Sequence, residues 1–115
     1  MKRRPNVHDL HQMKGRRKFL QLHVDSAEEA EAAERAGIEI LSCESDATLA
    51  AVRAAAPTAF ISAGLPNRTI ATEEDGIRFG FDAMNRGADA VYCSSSPRII
   101  EAMAREGIPV TGHVG

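Results

Sequence analysis

The feature that most constrains this chain is a junction that occurs three times, in which a helix-like segment runs into a glycine and a strand-like segment starts at once. Glu34-Arg35-Ala36-Gly37-Ile38-Glu39-Ile40, Asn85-Arg86-Gly87-Ala88-Asp89-Ala90-Val91 and Ala104-Arg105-Glu106-Gly107-Ile108-Pro109-Val110 share it. Glycine just past a helix takes the left-handed conformation that closes the last turn without a Cβ clash. A strand one or two residues later makes the short αβ connection of β-α units.

The helix starts agree with that reading. Ser26 with Glu29 forms a capping-box pattern, Thr72 with Asp75 a weaker one, and Ser96 precedes Pro97 at a first helical position. Ile77, Phe81 and Met84 share one helical face, as do Ile99, Ile100 and Met103; these stripes are core positions. Strands are expected at Lys18 to Val24, Glu39 to Cys43, Thr58 to Ser62, Asp89 to Cys93 and Pro109 to Gly112, with helices over 26–36, 46–55, 73–86 and 97–106. Alternating β and α elements call for a parallel sheet with right-handed crossovers. Residues 1–17 form a leader with a short helix, marked by Val7, Leu10 and Met13, that covers one end of the sheet; residues 18–115 are the β-α repeats. The expected fold is one α/β domain, a partial TIM (β/α)8 barrel of about five strands or, alternatively, an open flavodoxin-like sheet.

Composition narrows the partners. A chain of 115 residues suits one domain, and 43% hydrophobic with 26% charged residues is the balance of a globular protein. A net charge of −2 gives no general attraction to nucleic acid. The basic residues Lys2, Arg3, Arg4, Lys14, Arg16, Arg17 and Lys18 read as a solvated leader rather than a polyanion site. No apolar run nears the ~20 residues of a membrane span, and no signal-peptide pattern is present. Two well-separated cysteines, Cys43 and Cys93, do not suggest a disulfide framework, so a cytoplasmic location is expected.

In parallel α/β folds the ligand sits beyond the carboxyl ends of the strands. Those ends carry His23 and Asp25; Cys43, Glu44, Ser45 and Asp46; Gly64 and Asn67; Cys93, Ser94, Ser95 and Ser96; and His113. Ser45, Asp46 and Ser96 also suit helix caps. Ser94, Ser95 and Ser96 before a helix suit an anion cradle. Cys43, Glu44, Cys93 and His113 would make a zinc site if the strand ends met, against the reading of two buried thiols. His113, in Gly-His-Val-Gly, is either a functional or a packed histidine.

Ile108-Pro109-Val110-Thr111-Gly112-His113-Val114-Gly115 resembles the signature at the fifth barrel strand of ketopantoate hydroxymethyltransferase. Glu101 to Glu106 is similar to that family's preceding helix, Gly87 to Val91 to its fourth strand, and Val7 to Lys18 to its amino-terminal helix and first-strand approach. The resemblance covers nearly the whole chain and about the first half of such an enzyme. It implies a (β/α)8 barrel that transfers a hydroxymethyl group from methylenetetrahydrofolate to 2-oxoisovalerate in pantothenate biosynthesis, with Mg2+ holding the keto acid and stabilising its enolate. On this resemblance Ser45 binds substrate, Glu44 stands in the metal position, and His113 is the substrate-side histidine. The chain departs from the family at Gly64 before Leu65-Pro66, where the family has aspartate, and at Tyr92-Cys93-Ser94, where it has Lys-x-Glu.

Two function classes follow. One is a hydroxymethyltransferase-like enzyme acting on a small 2-oxo acid, with His113 catalytic, Ser45, Ser94, Ser95 and Ser96 on the substrate and Glu44 toward the metal. The other is a non-catalytic binding or assembly module on the same scaffold. Five strands cannot close an eight-stranded barrel, so open edges and a homo-oligomer are expected. A response-regulator receiver is excluded by His23-Val24-Asp25 and Ser62-Ala63-Gly64 where that fold needs its acidic residues.

Overall fold

The computed structural model describes residues 3–114; Lys2 of the basic leader and Gly115 of the Gly-His-Val-Gly stretch lie outside the described residues. The elements are α1 (Val7–Gln12), β1 (Gln21–His23), α2 (Ala27–Arg35), β2 (Ile40–Glu44), α3 (Leu49–Ala55), β3 (Phe60–Gly64), α4 (Glu73–Asn85), β4 (Ala90–Cys93), α5 (Pro97–Arg105) and β5 (Val110–Gly112). All five strands are parallel and lie in the order β1-β2-β3-β4-β5. The sheet is open. Its sequential order lacks the reversal that defines a flavodoxin-like switch point, and is the order of successive barrel strands.

Register sorts the side chains onto two faces. His23, Ser42, Ser62 and Ala90 form one cross-strand row, and Glu44, Gly64, Tyr92 and Thr111 form another. The rows between them, such as Leu22-Leu41-Ile61 and Cys43-Ala63-Val91-Val110, point the other way because strand side chains alternate. Leu41, Cys43, Ile61, Ala63, Val91 and Cys93 join Ala30, Leu49, Val52, Ala83, Ile99 and Met103 of the helices in one buried cluster. Fully burying an aliphatic side chain is worth about 1.5–3 kcal/mol, so the helix-covered face supplies the sheet's packing energy. The opposite face is free to be polar.

The three junction glycines, Gly37, Gly87 and Gly107, all have positive φ (80°, 115° and 83°), as the repeated pattern requires. Ser26 and Thr72 cap α2 and α4 through Glu29 N–H (3.2 Å) and Asp75 N–H (3.0 Å). Asn6 and Asp9 cap α1 reciprocally, a capping box not foreseen from the sequence. Ser96 stands at the N-cap of α5 but makes no side-chain capping bond; its carbonyl instead accepts from Ile99 and Ile100. The expected helix from residue 46 starts only at Leu49, because Asp46 accepts from both the N–H (2.8 Å) and hydroxyl (2.6 Å) of Thr48 and holds a turn there. The third strand begins at Phe60, not Thr58, whose N–H and hydroxyl are both engaged by the Glu34 carboxylate. The first strand is limited to three residues because its single partner, β2, starts opposite Gln21.

The leader crosses the amino ends of the strands. Arg4 reaches Asp89 just before β4 (3.6 Å), Arg17 pairs with Glu39 just before β2, and Val7 and Leu10 border a hollow with Phe60, Ala90 and Ile108. Phe60 and Ala90 are buried on the polar side of the sheet, so that side is closed below and open at the carboxyl ends.

Candidate functional site

The two polar rows line a trough on the face that the helices leave uncovered. One hollow, about 290 Å³, is bordered by His23, Ser42, Glu44, Ser62, Tyr92 and Thr111. Its neighbour, about 510 Å³, is bordered by Glu44, Asn67, Arg68, Tyr92, Ser94 and His113. Glu44, Gly64 and Tyr92 border both, which makes one continuous surface across the strand ends.

His113 is exposed, past β5, and its Nδ1 lies 2.7 Å from the Tyr92 hydroxyl with the rings edge to face. Ser94 donates to Asn67 Oδ1 (3.1 Å), which ties the loop after β4 to the loop after β3. Beside them stands Arg68, exposed and at φ 61°, a conformation that costs a branched or bulky residue more than arginine. At the other end His23 bridges two residues: Nδ1 lies 3.0 Å from Ser42 Oγ and Nε2 lies 3.1 Å from Asp25 Oδ1. A carboxylate only accepts, so in the neutral ring Nε2 carries the proton and Nδ1 accepts from the serine hydroxyl.

Of the residues singled out from sequence, Glu44, Gly64, Asn67, Ser94 and His113 border the larger hollow, and His23 borders its neighbour. Ser45 does not border either hollow; its N–H bonds the Gly64 carbonyl (3.0 Å). Ser95 turns its hydroxyl to the Ile70 carbonyl (3.3 Å) and Ser96 is exposed at the start of α5, so their hydroxyls have different surroundings from that of Ser94. Cys43 and Cys93 are 2% and 1% exposed and belong to the helix-side core, on the opposite face from Glu44. Burial, reinforced by Asp46 and Glu44, pushes the Cys43 thiol up to about 11, as befits a thiol packed in the core. Strand parity separates the cysteines from Glu44 and removes the zinc arrangement.

Magnesium is held by several oxygens in near-octahedral array. Among the described residues no three His, Cys, Asp or Glu side chains converge, and Glu44 reaches the trough without a second carboxylate at the Gly64 position beside it. The donor set does not fit the expected cation.

Ser42, Ser62 and Tyr92 were not foreseen as site residues. The signal was the alternation of polar Ser42 and Glu44 with apolar Leu41 and Cys43, and of Ser62 with Ile61 and Ala63, which marks a second, polar face on strands that parallel sheets usually bury on both sides.

These features define a class: a singly wound parallel β-α sheet with a polar trough at the carboxyl ends of its strands. No protein-family model matches the chain, and no curated protein matches it significantly.

Proposed function

We propose that the trough binds a small 2-oxo acid, in the manner of the acceptor site of ketopantoate hydroxymethyltransferase, which the chain resembles in sequence. The observation that carries this reading is the Tyr92–His113 hydrogen bond in the hollow that Glu44, Arg68 and Ser94 also border. A 2-oxo acid needs a cation or several donors for its carboxylate and a donor for its keto oxygen; Arg68 suits the first, and the Tyr92–His113 pair suits the second. The trough is large enough for a ligand of five carbons. With no carboxylate set for magnesium, the reading is acceptor binding; hydroxymethyl transfer from methylenetetrahydrofolate would need enolate stabilisation by His113 and Tyr92 in place of the metal.

Thermal unfolding tests it. 2-Oxoisovalerate at ~100 times its dissociation constant adds about 2.7 kcal/mol and is expected to raise the melting temperature by about 10 °C, at roughly 4 °C per kcal/mol. His113→Ala and Tyr92→Phe should each remove most of that shift. A wild-type melting curve indifferent to 2-oxoisovalerate and 2-oxobutyrate refutes the reading.

A second reading is an assembly module, in which a second copy completes the open sheet. It is favoured by Leu20 and Leu22, 70% and 44% exposed on or beside the unpaired edge strand β1. Sedimentation at micromolar concentration distinguishes the two, a monomer counting against assembly.

A further inference from the structure

We propose that Ser42, His23 and Asp25 form a nucleophile, base and orienting group that give the trough an acyl-transfer activity toward small esters, a chemistry beyond the 2-oxo acid binding proposed above. The arrangement follows from register. His23 and Ser42 are directly paired across β1 and β2, so their side chains leave the same face side by side. Asp25, two residues beyond His23, reaches back to the far nitrogen of the ring. The Asp25 backbone is itself held, its N–H donating to Glu29 Oε1 (2.6 Å) at the start of α2. Thus the relay runs Ser42 Oγ–H to His23 Nδ1, and His23 Nε2–H to Asp25, with contacts of 3.0 and 3.1 Å. Hydrogen-bonded contact from nucleophile to base, and from base to a third group, is the geometry by which a serine hydroxyl is activated.

The surroundings suit the reaction. Ser62 is paired with Ser42 on the next strand and points into the same hollow, about 4.8 Å away in the hydrogen-bonding direction of the sheet. Its hydroxyl can donate to the oxygen that becomes negative when a carbonyl beside Ser42 is attacked. The other nucleophile on β2, Cys43, borders the hollow but is only 2% exposed and belongs to the helix-side core. A hollow of about 290 Å³ admits an acetyl-sized acyl group with a modest alcohol.

The steps balance without a further reactant. Ser42 Oγ bonds to the ester carbonyl carbon while its proton passes to His23 Nδ1. The carbon–oxygen bond to the alcohol breaks, the alcohol leaves with that proton, and acyl-Ser42 remains. Water then attacks the acyl carbon, gives a proton to Nδ1, and the carboxylic acid departs as Ser42 Oγ regains its proton. Asp25 stays ionised throughout and balances the imidazolium.

The test uses the full chain with p-nitrophenyl acetate. The expected result is a burst of p-nitrophenolate and an acetyl group that tandem mass spectrometry places on Ser42. Ser42→Ala should abolish the adduct, and His23→Gln should slow acylation at least about a hundredfold. Asp25 acts through His23 and is 77% exposed, so Asp25→Asn should lower kcat by only about tenfold, leave KM unchanged and keep the adduct on Ser42. Unchanged turnover in folded Ser42→Ala overturns the proposal, as does acetyl found on Cys43, a lysine or the amino terminus instead of Ser42. Diisopropyl fluorophosphate on the wild-type protein needs no variant, and failure to label Ser42 overturns it equally. The 2-oxoisovalerate melting shift, measured on the same samples, reports separately on the binding reading.

Discussion

Arg53 is the side chain whose loss the structure predicts most sharply. It is 13% exposed and bonds Asp89 Oδ2 (2.8 Å), the Ala56 carbonyl (2.5 Å) and the Ala59 carbonyl (2.7 Å), so one guanidinium joins the end of α3 to the approaches of β3 and β4. Asp89 Oδ2 also accepts from Ile61 N–H (2.9 Å), which couples the pair to the sheet. The Arg53 stem lies over Gly87, where a Cβ would come within 2.5 Å of Arg53 Cγ; with φ at 115°, only glycine fits there. Truncating one partner of a buried ion pair costs 3–5 kcal/mol. The Arg53–Asp89 pair is part-buried, and Asp89 keeps Ile61 N–H and, at 3.6 Å, Arg4, so Arg53→Ala belongs at the low end, about 3 kcal/mol. At roughly 4 °C per kcal/mol for a domain of this size, the melting temperature should fall by about 12 °C. Urea unfolding of wild type, Arg53→Ala, Asp89→Asn and the double variant gives the pairwise term, expected at about 2 kcal/mol with unchanged m values. A single-variant loss below ~1 kcal/mol, or strict additivity in the double variant, refutes the reasoning.

Two other perturbations test the packing and the sheet faces. Gly76→Ala in α4 would set a Cβ 2.7 Å from Ile99 Cγ2 and 3.1 Å from Met103 Sδ, both in the core; the overlap should outweigh alanine's helix preference and cost about 1–2 kcal/mol net by chemical denaturation. Cys43 and Cys93 should resist Ellman's reagent in the native protein and react only with unfolding, Cys43 remaining a protonated thiol even near pH 9; fast native reaction of Cys43 would contradict its place in the buried core.

How much of the site was legible depended on which contacts set each position. His113, Glu44 and Ser94 could be placed near a common mouth from the rule that ligands gather at parallel strand ends, and the structure brings those three together. Ser45 and Ser96 stand at similar ends of the sequence segments, yet the first borders neither hollow and the second faces solvent on α5. A shift of one residue along a strand reverses the face, and the strand ends were misplaced by one residue at β2 and two at β3. The Ser42–His23 contact needed a register between two strands, which no local pattern contains.

The amino-acid sequence alone determined the repeating unit: glycines that close helices, capping residues that open them, and an alternation of strand and helix segments that calls for parallel pairing. These are short-range effects, decided by backbone conformation and hydrogen bonds within a few residues. Tertiary structure decided the sequential strand order, the face on which each polar side chain emerges, and hence the meeting of Ser42 with His23, of Tyr92 with His113 and of Arg53 with Asp89. Those pairs lie 19, 21 and 36 residues apart, and only the pairing of whole strands and the packing of helices onto them closes such distances.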